Sequence, residues 1–241
     1  MSVSLKLVQL NIEGSKHLDT VIPFLREQRP DVLCLQELWE HDIPLFETAL
    51  AGKYFFTSHG QEGGSIIGTG IFSRWPFVRK REYQYGGSSE PLPSFNNTSV
   101  KTMHDSQRQA LTLCEIEKEG ELFQIGTTHF PVTEKGEATD FQREDMRALL
   151  SILESCGDVV LADDFNAPRG GEIFSMLAGR YKDNVPAHYE TSIDGNLHRA
   201  GPIPRMVDGI FSTPGYVVSN VSMHDGVSDH CALIATVSKN V

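Results

Sequence analysis

Three apolar strand patterns in this chain end in an acid, an amide or both, and a fourth opens on an acid and a histidine. They are Gln9-Leu10-Asn11-Ile12-Glu13-Gly14, Val32-Leu33-Cys34-Leu35-Gln36-Glu37, Val159-Val160-Leu161-Ala162-Asp163-Asp164-Phe165-Asn166 and Ser228-Asp229-His230-Cys231-Ala232-Leu233-Ile234. A polar group at the end of a buried strand is costly unless it is paired or used. Repeated four times, the pattern points to one polar site built at one edge of a sheet. Such a site suits hydrated divalent metal chemistry.

Around these strands, helix and strand periodicities alternate. Lys6–Leu10 reads as a strand, followed by an amphipathic helix over residues 15–28 with Leu18, Val21, Ile22 and Leu25 on one face. Pro30 ends that helix, and Val32–Gln36 is the near-continuous apolar run of a strand covered on both faces. A helix over Ile43–Leu50 and short strands at 54–57, 70–73 and 78–83 follow. Residues 86–105, with Pro91, Pro93 and Phe95, read as a long loop. Strands over 110–116 and 122–128 flank the turn Glu119-Gly120, a hairpin signal. A helix over 137–153, a strand over 159–165, an irregular stretch over 182–204 and three closing strands at 207–212, 216–223 and 231–237 complete the chain. No repeat or composition break divides it, so one domain over residues 1–241 is expected, of mixed α+β class with hairpins.

Composition narrows the function classes. The chain has 241 residues and a formal net charge of −11, which argues against a broad nucleic-acid footprint. It does not exclude a small nuclease. The basic cluster Arg74, Arg79, Lys80 and Arg81 reads as a solvated strand edge. No apolar run is long enough for a membrane span, and Met1–Leu7 passes straight into a strand pattern with no signal peptide visible. Cys34, Cys114, Cys156 and Cys231 lack paired spacing and read as reduced thiols, consistent with a cytoplasmic protein.

Taken in order, Asn11-Ile12-Glu13-Gly14, Leu35-Gln36-Glu37, Thr128-His129-Phe130, Asp164-Phe165-Asn166-Ala167, Val207-Asp208-Gly209-Ile210-Phe211 and Ser228-Asp229-His230 resemble the endonuclease/exonuclease/phosphatase superfamily. Its members include deoxyribonuclease I-like nucleases, abasic-site endonucleases, tyrosyl-DNA phosphodiesterases, inositol polyphosphate phosphatases and neutral sphingomyelinases. The resemblance implies a four-layer α/β/β/α sandwich of two packed, mainly antiparallel mixed sheets with flanking helices, and a phosphodiesterase dependent on Mg²⁺ or Mn²⁺. It places Glu37, Asn11, Asp229 and Glu13 near the metal. Asp164 would orient or deprotonate the attacking water, with Asn166 holding that water or a phosphate oxygen. His230, paired with Asp208, and His129 would face the phosphate. By strand periodicity, Glu13 shares a face with Asn11, and Asn166 with Asp164, if each strand continues.

The expected substrate is a phosphodiester, in DNA or a DNA adduct, acted on by a monomer. A phosphomonoesterase, an inositol or lipid phosphodiesterase, and a catalytically weakened binding protein are the alternatives. Asn-Ile-Glu-Gly is closest to the abasic-endonuclease and tyrosyl-DNA phosphodiesterase branches, and Thr128-His129 favours the tyrosyl-DNA phosphodiesterase, nuclease or lipid-diesterase side. Phe95, Tyr189 and Arg199 are candidates to touch a base or aromatic leaving group, with loop packing as the competing role. One position departs from the family pattern. Asp163 stands where the family has glycine before the Asp-x-Asn acid, and is expected to lower stability, activity or both.

Overall fold

The structure, a computed structural model, describes residues 3–88, 92 and 94–240. Pro91 and Pro93 of the long loop and Met1 and Ser2 of the N-terminal segment lie outside the described residues. In chain order the elements are β1 (Ser4–Asn11), α1 (Leu18–Gln28), β2 (Val32–Trp39), α2 (Ile43–Leu50), β3 (Lys53–Glu62), β4 (Ser65–Ser73) and β5 (Phe77–Gly87). There follow α3 (Val100–Asp105), β6 (Arg108–Lys118), β7 (Glu121–Thr127), α4 (Asp140–Cys156), β8 (Val160–Asp164), α5 (Glu172–Ala178), β9 (Lys182–Asp183), β10 (Asp208–Ser212), β11 (Tyr216–His224) and β12 (Ala232–Lys239).

Two six-stranded sheets result, ordered β11-β12-β1-β2-β4-β3 and β5-β6-β7-β8-β10-β9. Among the described strands only β1–β2 and β7–β8 pair in parallel. Their crossovers carry α1 and α4, because parallel neighbours need a long connection. Alternation along the strands sorts the core. Leu5 and Leu7 of β1, Val32 and Cys34 of β2, Phe123 and Ile125 of β7 and Val160 and Ala162 of β8 meet between the sheets. The opposite face of the first sheet packs on Val21 and Leu25 of α1 and Ile43, Phe46 and Leu50 of α2. That of the second packs on Met146, Leu149, Leu150 and Leu153 of α4 and Ile173, Phe174 and Leu177 of α5. The architecture is the expected four-layer α/β/β/α sandwich.

Local departures have local causes. The first helix begins at Leu18 rather than near Ser15, because Glu13 and Gly14 take left-handed φ values of 46° and 67° in a turn. A Cβ on Gly14 would meet the Trp39 indole nitrogen at 2.4 Å, so glycine is required there. Strands β3 and β4 are longer than their apolar patterns and join through Gly63-Gly64, both at positive φ. The long loop holds α3, opened by a reciprocal capping box between Ser99 and Thr102. On the edge strand β5, Arg79 and Arg81 pair with Glu115, and Lys80 lies over Phe77 and Phe55. The basic cluster is a strand edge of this kind. The cysteines are all free, with Cys156 partly exposed and the other three buried. Among the described residues no helix is long and apolar enough to cross a membrane.

Candidate active site

At one end of the sandwich the inter-sheet faces change from apolar to polar. After Leu5 and Leu7 the same face of β1 carries Gln9 and Asn11, and after Val32 and Cys34 β2 carries Gln36. Gln9 uses both amide protons, one to Gln36 Oε1 at 2.9 Å and one to Asp208 Oδ1 at 2.7 Å. Gln36 donates to Thr127 Oγ1 at 2.8 Å, and that hydroxyl donates to the Ala162 carbonyl at 2.8 Å. The chain of bonds ties β1, β2, β7, β8 and β10 together directly beneath the acids. Sequence reasoning missed Gln9 and Gln36. The available signal was a polar residue on the inward face of an otherwise apolar strand.

Asp164 ends β8 opposite Asp208, which opens β10 in register. Both are fully buried, and His230 joins them from the turn before β12. His230 Nδ1 lies 2.7 Å from Asp208 Oδ2, which fixes the ring, while Nε2 lies 3.7 Å from Asp164 Oδ2. That second distance is too long for a hydrogen bond, so the Nε2 proton remains available. Burial opposes a charged His230, but Asp208 and Asp164 outweigh it and hold the imidazole protonated well above its ordinary range. Burial likewise works against an ionised Asp164. The neighbouring His230 and His129 overcome it and bring its pKa to about 2. Ser192, also missed in the sequence, accepts the Asp208 N–H at 3.1 Å.

Glu37 reaches the site through a backbone irregularity. With Gln36 directed between the sheets, simple alternation would turn Glu37 toward the helices. A bulge in the β2–β4 pairing and a left-handed φ of 54° at Glu37 turn it back. Its Oε1 accepts from Asn11 Nδ2 at 3.1 Å and lies 3.7 Å from His129 Nε2. Asn11 Nδ2 also donates to Asp164 Oδ2 at 3.0 Å, so one amide spans two carboxylates.

Neither periodicity argument survives. Both strands stop first, β1 at Asn11 and β8 at Asp164. Glu13, at φ 46°, sits in a turn whose N–H binds Asn11 Oδ1 at 3.1 Å, which occupies the oxygen expected for metal or phosphate. The Glu13 carboxylate is taken by Lys16 and by His17 Nε2 at 3.1 Å. Asn166, at φ 49°, donates its N–H to Asp164 Oδ1 at 2.9 Å and brings its amide nitrogen 3.0 Å from His129 Nε2. His129 Nε2 also lies 3.5 Å from Asp164 Oδ2. Burial works against a charged His129, yet the Asp164 and Glu37 carboxylates raise its pKa. Tyr189 packs against the inter-sheet core, its hydroxyl accepting the Met223 N–H at 3.3 Å.

Asp229 lies beside this group, with ligand atoms of Glu13, His17 and Asp229 all within 4.8 Å of one another. Burial, with the charges of Glu13 and Glu37, pushes its carboxyl up to about 6 against the pull of His230. The Glu13 and Asp229 carboxylates therefore converge with the His17 imidazole, and Glu37 is near enough for its charge to act on Asp229. Such a donor set fits Mg²⁺ or Mn²⁺ and offers no thiolate to favour softer ions.

The model of the Endonuclease/Exonuclease/phosphatase family matches residues 8–230, and the chain belongs to that family. The fold is a phosphoesterase fold shared with several solved structures. Mannosyl-6-phosphatase from Bacteroides thetaiotaomicron VPI-5482 matches at 14% identity and TM-score 0.72, over 97% of this chain and 99% of that one. The human Nocturnin catalytic domain with bound sulfate matches at 16% identity and TM-score 0.73, over 100% and 96%. D. rerio TDP2 complexed with single-strand DNA product matches at 18% identity and TM-score 0.66, over 98% and 99%. None of the curated proteins matches the sequence.

Proposed function

We propose that the chain is a metal-dependent phosphodiesterase that cleaves a phosphate ester, in DNA or a DNA adduct, by in-line attack of water. The observation that carries this reading is the juxtaposition of Asp164, the Asp208–His230 pair and Glu37 at one end of the sandwich. Glu37 and Asp229 would hold the cation, with Asn11 positioning Glu37 and with Glu13, which Lys16 and His17 hold in place, as a further oxygen donor that would have to release one of those partners. Once bound, Mg²⁺ or Mn²⁺ supplies Lewis-acid stabilisation of charge on phosphate oxygens.

The side chains divide the remaining work. Asp164 is ionised and oriented by Asn11 and by the Asn166 N–H. A carboxylate with so low a pKa is a weak base, so its main role is to align the attacking water and accept its proton late in the reaction. His230 directs its Nε2 proton at a non-bridging phosphate oxygen, where negative charge grows in the transition state. Asp208 keeps that ring oriented and charged, and His129 faces the same phosphate or the leaving group. The site acts within residues 1–241 as a single-domain monomer, and the unpaired cysteines support a reducing compartment such as the cytoplasm.

Two comparisons test substrate. Bis-p-nitrophenyl phosphate should be turned over faster than p-nitrophenyl phosphate, and a 5′-tyrosyl oligonucleotide faster than inositol phosphates. The likeness to D. rerio TDP2, which was solved with a single-strand DNA product, supports this order, whereas a preference for the monoester or the inositol phosphates would support the phosphatase reading, for which the mannosyl-6-phosphatase is the precedent.

A further inference from the structure

His17 brings an imidazole to the acids where the superfamily resemblance supplies only oxygen donors. It is the N-cap of α1, its carbonyl accepting the N–H groups of Thr20 and Val21 at 3.1 and 2.8 Å. The Thr20 hydroxyl, 2.9 Å from that carbonyl, also lies 2.7 Å from the carbonyl of Val227, two residues before Asp229. The helix start and the turn carrying Asp229 are thereby held together through the backbone, without help from the imidazole. On the other side, the Glu13 N–H binds Asn11 Oδ1 at 3.1 Å, while Asn11 Nδ2 donates to Glu37 Oε1 at 3.1 Å. One asparagine thus joins the turn of Glu13 to the strand end of Glu37.

Within this frame His17 Nε2 lies 3.1 Å from Glu13 Oε2, and ligand atoms of Glu13, His17 and Asp229 are all within 4.8 Å of one another. Neighbouring donor atoms around a six-coordinate ion with bonds of about 2.1 Å are about 3 Å apart, so the pair already has the spacing of two ligands on one cation. The side chains of His17 and Glu13 are only 16% and 15% exposed and Asp229 is buried, whereas Lys16, the other partner of Glu13, is 61% exposed. An ion pair to so exposed a lysine contributes little, which leaves Glu13 free to turn an oxygen toward a cation. Two carboxylates against one imidazole leave the three side chains negative even with the ring protonated. A cation on Nε2 takes the place of the proton between His17 and Glu13 and leaves the ring proton on Nδ1.

We propose that His17 is a nitrogen ligand, beside Glu13 and Asp229, of the cation at this site, and that it biases the site toward a transition-metal ion over Mg²⁺. Imidazole suits transition-metal ions, whereas Mg²⁺ favours oxygen. The inference rests on the metal-dependent reading and narrows which ion serves it.

The test uses the full chain, freed of metal and loaded with one equivalent of Mn²⁺. Electron spin echo envelope modulation should show the ¹⁴N signal of a directly bound imidazole in wild type, lost in His17→Gln. A signal absent from wild type, or unchanged in the variant, overturns the ligand. In calorimetric titrations His17→Gln should weaken Mn²⁺ binding about tenfold and Mg²⁺ binding less than about twofold. Equal weakening for both ions would show that His17 only holds Glu13 in place, and would overturn the ligand as well. No Mn²⁺ binding at millimolar concentration does the same, whatever the activity. The phosphodiesterase reading fails separately, when wild type binds Mn²⁺ with the ¹⁴N signal yet leaves bis-p-nitrophenyl phosphate intact; the signal then still supports His17.

Discussion

Asp163 has one hydrogen bond where a buried carboxylate needs several. Its Oδ1 accepts the Thr128 N–H at 3.0 Å, while Oδ2 has no partner among the described residues. Burial first, then the charges of Asp164 and Asp208, raise its pKa well above the ordinary 3.8. The unfolded chain ionises near that value while the folded chain keeps the proton, so the folded state binds more protons. Stability from this group is present below about pH 4 and is lost as pH rises toward the folded pKa. Asp163→Asn keeps an oxygen for Thr128 and removes the charge. Its melting temperature relative to wild type should therefore climb between pH 4 and 8, by a gain of about 1–3 kcal/mol, whereas a difference that stays flat with pH would show Asp163 to be paired. At the reacting centre, His230→Ala and Asp164→Asn should each lower kcat about 10²-fold or more, and near-wild-type rates in either would remove that residue from the assignment. The acids and His230 were legible because they sit at strand ends in a recurring pattern. Gln9 and Gln36 showed only as polar residues on the inward face of apolar strands, and Ser192 not at all, since the partners of all three come from distant strands.

At the scale of elements, the bulge in β2 separates stability from function. Glutamate gains nothing from a φ of 54°, and the strain persists because it turns the side chain to Asn11 and His129. Glu37→Gly should keep or raise stability, by up to about 1 kcal/mol, while turnover falls by about 10²-fold or more. Thermal melting beside initial rates distinguishes this from a simple packing residue, which would lose both together. The segment containing α3 is fastened differently. His104 on α3 lies 2.8 Å from Asp145 on α4 and packs its ring on Phe141 at 4.4 Å. Burial disfavours the imidazolium, but Asp145 and Asp105 outweigh it and raise the pKa. The pair's contribution is therefore full below about pH 6.5 and is lost as pH rises through the folded-state value. His104→Ala should cost about 1–2 kcal/mol in acid and progressively less in alkali, as urea melts across pH 5.5 to 9 can measure. Sequence periodicity located most elements but read this segment as loop, because α3 is short and lacks an apolar stripe. It also let the strands at Asn11 and Asp164 run on, since a left-handed residue that is not glycine leaves no mark in composition.

For the molecule as a whole, alternation within strands was readable, but pairing between them was not. Strands β1 and β12 lie side by side from opposite ends of the chain, and nothing local in either specifies that neighbour. The four-layer order followed instead from the resemblance of six motifs in sequence, which is why the position of the site was anticipated and the glutamine network beneath it was not. The carboxylates above that network are the groups on which the proposal of a bound cation rests. Among them Asp229 has its carboxyl pushed up to about 6 by burial and by the charges of Glu13 and Glu37. The measurement that bears most directly on this is turnover of bis-p-nitrophenyl phosphate by protein dialysed against excess chelator, before and after addition of Mg²⁺ or Mn²⁺. Hydrolysis should be absent after dialysis and return with either ion, whereas hydrolysis that persists unchanged in the chelator would contradict a metal-dependent phosphodiesterase.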